Sequence, residues 1–141
     1  MSVNVAPFCI EDILDLEVQP KHYDDWLRIV RNLGVFKPFM ENEYSHVVFD
    51  DATGEVLSCS GILTEPYCMG WAYLRYDLKK YMTSITRVAR KLELVPFVRD
   101  NGPVFAQIDS QYPQAIRWAR ILGFRPHDTT QDFWVFDAHS I

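Results

Sequence analysis

The run "PVFAQIDSQYPQAIRWARILGF", residues 103–124, holds two periodicities back to back. Its first part is a short apolar stretch behind the Asn101-Gly102 turn, which reads as a buried strand. From Pro113 the spacing changes to three and four. Ala115, Trp118, Ala119 and Leu122 then share one helical face, with Arg117 and Arg120 off it. Gly123 is a helix stop, and Phe124 turns back to the core. A buried strand feeding an amphipathic helix is the unit of an α/β sheet with crossover connections.

The same alternation extends upstream. "DLKKYMTSITRVARKLEL" is the longest predicted helix, with Leu78, Met82, Ile85, Ala89 and Leu92 as its apolar stripe, Asp77 as its N-cap and Pro96 as its end. "CMGWAYLR" before it is a strand that puts Trp71 and Tyr73 on one face and Ala72 and Leu74 on the other. "SHVVFDDATGEVLSCSGI" is a hairpin about Asp51-Ala52-Thr53-Gly54. Nearer the N-terminus stand a strand, "SVNVAPF", a short helix, "CIEDILDLE", and, after Pro20, a second helix, "KHYDDWLRIVRNLG". That helix has Trp26 as a core anchor and Gly34 as its stop. One or two strands close the chain, ending in "DFWVFD". If Trp134 and Phe136 face solvent there, they mark a dimer edge. The predicted order is strand, two helices, three strands, helix, strand, helix, and one or two strands. The predicted fold class is therefore α/β, a mixed sheet flanked by helices in one domain over residues 1–141.

Composition narrows the function classes. With 48% hydrophobic and 14% aromatic residues in 141, disorder is excluded and an ordinary core is affordable. The net charge is −5. Arg75, Lys79, Lys80, Arg87, Arg90 and Lys91 are concentrated about the long helix, against Asp77 alone. That pattern argues against a nucleic-acid partner and suits either one compact anion or a solvated basic face. Cys9, Cys59 and Cys68 form no paired framework and no metal spacing, so they read as free thiols of a reducing compartment. No apolar run is long enough for a membrane span, and "MSVNVAPFCIEDILD" lacks a signal pattern; a soluble, cytoplasmic protein is expected.

The succession "CMGWAYLR", "DLKKYMTSITRVARKL", "PVFAQIDS", "PQAIRWARILGF" resembles the Gcn5-related N-acetyltransferase fold, from about Ser45 onward, and the two N-terminal helices fit it too. More narrowly, the layout of a Trp-containing strand, a Lys/Arg-rich helix, an aromatic strand and a closing "R…LG" helix looks like the small internal virion protein A family of short-tailed coliphages. These resemblances imply acetyl-coenzyme A as cofactor and a small-molecule or protein amine as acceptor. The narrower one implies a phage-encoded protein of the bacterial cytoplasm. The alternative is a catalytically degenerate member that binds a host or virion protein.

The resemblance also implies site residues. The cofactor would lie along Trp71, Tyr73 and Leu74, with Arg75, Lys79 and Lys80 toward its phosphates. The family's glycine-rich phosphate loop is missing, since no glycine stands between Gly70 and Gly102. The position of the family's proton-donating tyrosine is Ala119, and Tyr112 lies seven residues away. Asp109 and Ser110 follow the fifth strand. Asp109 is a base if buried, or simply an N-terminal helix residue. His46 is a second candidate base or a structural strand histidine. Glu65 is placed to line an acceptor cleft. No metal-ligating cluster is visible.

Overall fold

The computed structural model describes residues 2–127 and 132–141. Its strands are β1 (Val3–Pro7), β2 (His46–Asp50), β3 (Val56–Leu63), β4 (Met69–Leu74), β5 (Val104–Gln107), β6 (Arg125–Pro126) and β7 (Phe133–Phe136). Its α-helices are α1 (Tyr23–Val30), α2 (Leu33–Met40), α3 (Met82–Val88), α4 (Val95–Asn101) and α5 (Pro113–Leu122). The strands form one seven-stranded sheet in the order β1-β2-β3-β4-β5-β7-β6. Among the described residues only the β4–β5 pair is parallel, and every other neighbour pair is antiparallel. The expected α/β mixed sheet flanked by helices is the architecture observed.

Alternation along each strand sorts the core onto two faces. Val48, Leu74, Ile62, Val104, Ala106, Trp134 and Phe136 point to the face covered by α3, α4 and α5. Val47, Cys59, Trp71 and Tyr73 point to the other face, under a single 3-10 segment (Ile10–Asp15), α1 and α2. The split of Trp71 and Tyr73 from Ala72 and Leu74 is as the sequence predicts. Trp26 is an anchor on this second face, and its indole N–H donates to the Ile13 carbonyl at 2.7 Å. Trp134 and Phe136 are 4% and 0% exposed, so they form no dimer edge; their strand is interior, between β5 and β6.

Of the three predicted helix stops Gly123 holds, and Gly34 and Pro96 fail for identifiable reasons. Gly34 lies inside α2, which the sequence reading missed, because the chain turns once at Asn32 and resumes a helix. Pro96 does not end the long helix. A π-helical segment, Ala89–Leu94, joins α3 to α4, and the Val95 N–H donates to the Arg90 carbonyl five residues back. Regular α-bonding is already interrupted there, so a proline without an N–H fits at the next position. The wider turn also slips the apolar stripe. Leu92, expected inside, is 43% exposed, while Glu93 and Leu94 are buried. The predicted cap at Asp77 is not made either. The helix opens with a tight turn, Lys79–Tyr81, in which the Tyr81 N–H bonds the Leu78 carbonyl. The Asp77 carboxylate instead lies 2.8 Å from Arg75 Nε.

Candidate active site

β4 and β5 share one ladder position, Met69 opposite Phe105, with the Phe105 N–H donating to the Cys68 carbonyl at 2.9 Å. Beyond it toward their carboxyl ends the two strands part. The Arg75 N–H donates to the Leu57 carbonyl on β3, so by alternation the backbone groups of Ala72 and Leu74 face the gap. Among the described residues no strand pairs with Ala72 or with the Leu74 N–H on this side. An unpaired edge inside a sheet, at the carboxyl ends of two parallel strands, is where α/β folds place ligands.

The sequence candidates fall into three groups about this gap. Trp71 and Tyr73 wall its α1 side. Trp71 packs edge-on to Phe8 at 5.2 Å, and its buried indole N–H has no partner among the described residues. Burial pushes the Tyr73 phenol up to about 12, so it stays protonated at neutral pH. Leu74 is buried toward α3. Lys79 and Lys80 are exposed in the first turn of the long helix. Arg75 is not free: its guanidinium pairs with Glu55 and with Asp77.

Asp109 and Ser110 follow β5 on the far side of the gap. Both are exposed, and the Asp109 carboxylate accepts the Gln111 N–H at 2.9 Å in a local turn. The burial that a carboxylate base of the predicted kind requires is absent. Tyr112 stands before Pro113 at the start of α5, 39% exposed. Ala119 is a 1% exposed core residue, and Trp118 donates its indole N–H to Thr86 at 2.9 Å. Glu65 precedes β4 at its paired end, away from where the strands diverge. Burial also raises the Cys59 thiol well above its ordinary value, which leaves it inert.

His46 is elsewhere. It lies beneath the π segment on the α3 face, with Nδ1 3.0 Å from Glu93 Oε2. Ser60 donates to the same carboxylate at 2.8 Å. Glu93 is 2% exposed, and burial raises its pKa despite the opposing hydrogen bonds from His46 and Ser60. Both side chains bond the carboxylate rather than each other, so this cluster activates no nucleophile. Glu93 was invisible to sequence reasoning because a regular helix puts Leu92 at that place on the stripe.

A second missed feature is the segment Glu17–His22, flagged in the sequence only by Pro20. His22 stacks edge-on to Tyr73 at 5.8 Å, and its Nδ1 is buried without a partner among the described residues.

Several solved structures share this fold. Aminoglycoside acetyltransferase AAC(6')-Ib in complex with coenzyme A and kanamycin aligns with a TM-score of 0.59 at 14% identity, over 99% of this chain and 96% of that one. The fold is that of the Gcn5-related N-acetyltransferases. A mutant of spermidine N-acetyltransferase SpeG from Vibrio cholerae aligns with a TM-score of 0.56 at 11% identity, covering 95% and 92% of the two chains. The phosphinothricin acetyltransferase of the GNAT superfamily from Sinorhizobium meliloti, in complex with AcCoA, gives 0.51 at 17% identity over 96% and 86%. No family model matches the sequence, and no curated protein matches it significantly. Among the described residues, no helix is long and apolar enough to cross a membrane, and no group of His, Cys, Asp and Glu is placed to hold a metal.

In this acetyltransferase fold His22 gives a pH prediction. Burial, then Lys21, lowers its pKa below 6.5. Below about pH 6.5 the unfolded chain therefore binds a proton that the folded protein resists. Stability is full above that value and falls as the pH drops through it toward the folded pKa. Urea unfolding at pH 7 and pH 5 should show a larger acid loss in the wild type than in His22→Phe, which keeps an aromatic ring on Tyr73. Equal losses would refute the assignment.

Proposed function

We propose that this protein is an acyl-coenzyme A-dependent N-acetyltransferase whose cofactor lies in the gap between β4 and β5. The observation that carries the reading is the unpaired edge at Ala72 and the Leu74 N–H, at the carboxyl ends of parallel strands. An extended arm with amide groups fits an edge of this kind by strand addition. Acetyl-coenzyme A supplies an activated acyl group when bound. Trp71 and Tyr73 form the apolar wall beside it. Lys79 and Lys80 bring positive charge to the phosphate end, where exposure to solvent keeps each contact weak. Asp109 and Ser110 border the reacting centre from the β5 side, where the acceptor, a small-molecule or protein amine, has a proton to lose.

The phosphate end is the weak point. It has no glycine, and its arginine is already paired with two carboxylates, so the expected affinity is micromolar or poorer. Ala119, at the place of the family's proton donor, is a buried methyl, and the Tyr73 phenol on the wall of the gap stays protonated at neutral pH. These departures favour, as a second reading, a degenerate relative that binds a protein partner. In the setting the narrower resemblance implies, a phage protein in a bacterial cytoplasm, that partner is a host or virion protein.

Thermal unfolding with acetyl-coenzyme A separates the two readings. Ligand at 100 times its dissociation constant stabilises the folded state by about 2.7 kcal/mol, which the first reading predicts. No shift at millimolar ligand would overturn it in favour of the second.

A further inference from the structure

The gap-side edge of β4 does not stay free along its whole length. Val18 bridges Arg75 in antiparallel fashion. The Gln19 N–H donates to the Leu74 carbonyl at 3.1 Å, and the Tyr76 N–H donates to the Glu17 carbonyl at 3.1 Å. Arg75 bonds β3 on the opposite side, so these two groups are the next ones along the edge after Ala72 and the Leu74 N–H. The chain has thus added three of its own residues to the edge on which the proposed cofactor depends.

The segment then crosses the gap. A single 3-10 turn, Pro20–His22, sets His22 on Tyr73 of β4 and Lys21 Nζ 4.8 Å over the ring of Tyr112, at the head of α5. Contacts therefore reach both sides of the opening. They are also few. Glu17, Pro20 and Lys21 are exposed, Val18, Gln19 and His22 are only half-buried, and the firm anchors lie outside the segment, at Leu16 (2% exposed) and Ile29 (2%). A short stretch held by two edge hydrogen bonds, the half-buried Val18 side chain and two ring contacts, between two buried anchors, is built to open locally without unfolding the sheet.

We propose that Glu17–His22 is a self-occluding strap. It occupies the β4 edge from the Leu74 carbonyl to the Tyr76 N–H, and acyl-coenzyme A gains that part of the edge only when the strap lifts. This rests on the coenzyme A reading above. An extended amide arm running from Ala72 toward Lys79 needs the same carbonyl and N–H that the strap holds. The apparent affinity is then the intrinsic one reduced by the fraction of molecules with the strap open.

Gln19→Pro tests this. Gln19 has φ −59°, which proline adopts without strain, and Val18 before it is extended. The substitution removes the N–H aimed at Leu74 and puts a ring carbon in its place. Acetyl-coenzyme A would be titrated calorimetrically into wild type and variant, and amide exchange followed at Gln19 in the wild type. The strap predicts roughly ten-fold tighter binding by the variant, about 1.4 kcal/mol. It also predicts that the Gln19 amide, protected in the free protein, loses protection at saturation. Equal or weaker affinity in a folded variant, or Gln19 protection retained in the complex, overturns the strap and leaves the cofactor reading standing. No binding by either protein at millimolar ligand overturns both. If Gln19→Pro fails to fold, Lys21→Ala releases the Tyr112 side alone. Binding about three-fold tighter than wild type then supports the strap, and unchanged binding overturns it.

Discussion

Glu93→Ala should lower stability by about 3–5 kcal/mol, the cost of breaking a buried, hydrogen-bonded carboxylate cluster from one side. For a chain of this size that is a fall in Tm on the order of 10 °C. The carboxylate is the shared acceptor for His46 at 3.0 Å and for Ser60 at 2.8 Å. Ser60 is 5% exposed and the His46 side chain 15%, so neither has water to turn to freely. The variant therefore strands two polar groups and opens a cavity under the π segment. Glu93→Gln keeps the volume and one acceptor oxygen, so its loss should be clearly smaller. Denaturant unfolding of both variants checks this. Equal, small losses would mean that the cluster is solvated and that the π turn does not depend on it.

Gly123→Ala should cost about 2–5 kcal/mol. Gly123 follows α5 with φ +111°, a conformation that costs an L-residue roughly 1–2 kcal/mol. A Cβ there would also stand 2.7 Å from the Arg90 guanidinium and 2.8 Å from the Phe136 ring. Arg90 cannot retreat cheaply, because it bonds the Leu122 carbonyl and reaches the Ser140 carbonyl at 3.5 Å. Phe136 is fully buried. Overpacking of that kind adds about 1–3 kcal/mol. Gly34→Ala is the natural contrast. Gly34 lies within α2 with nothing within 4 Å of a Cβ, so the same substitution should stabilise by about 0.5–1 kcal/mol. Two glycines that look alike as helix stops in the sequence are thus expected to respond with opposite sign.

That contrast shows what the sequence carries. Amphipathic period and strand alternation are local, and they place α5, β4, the β2–β3 hairpin and the facing of Trp71 and Tyr73 correctly. The failures sit where tertiary context decides. Pro96 is tolerated because the π segment has already broken α-bonding, and nothing in the local sequence announces that segment. Glu93 is buried for the same reason, at a place where a regular helix would put Leu92.

The candidate site was legible only as a position. The gap between β4 and β5 follows from topology and so from the resemblance. The state of its residues does not. Arg75 is spent on Glu55 and Asp77, His46 is turned away under the long helix, and Asp109 is exposed. The strap is a non-local pairing of Val18 with Arg75, fifty-seven positions apart in the chain, and no periodicity could report it.

The central claim, that the parted ends of β4 and β5 receive an acyl-coenzyme A, is tested most directly by amide NMR during an acetyl-coenzyme A titration. The account predicts saturable shifts concentrated at Gly70–Leu74 and Ala106–Ile108, joined by Gln19 and Tyr76 where the strap lets go of the edge. Shifts centred elsewhere, or none at millimolar ligand, would contradict it.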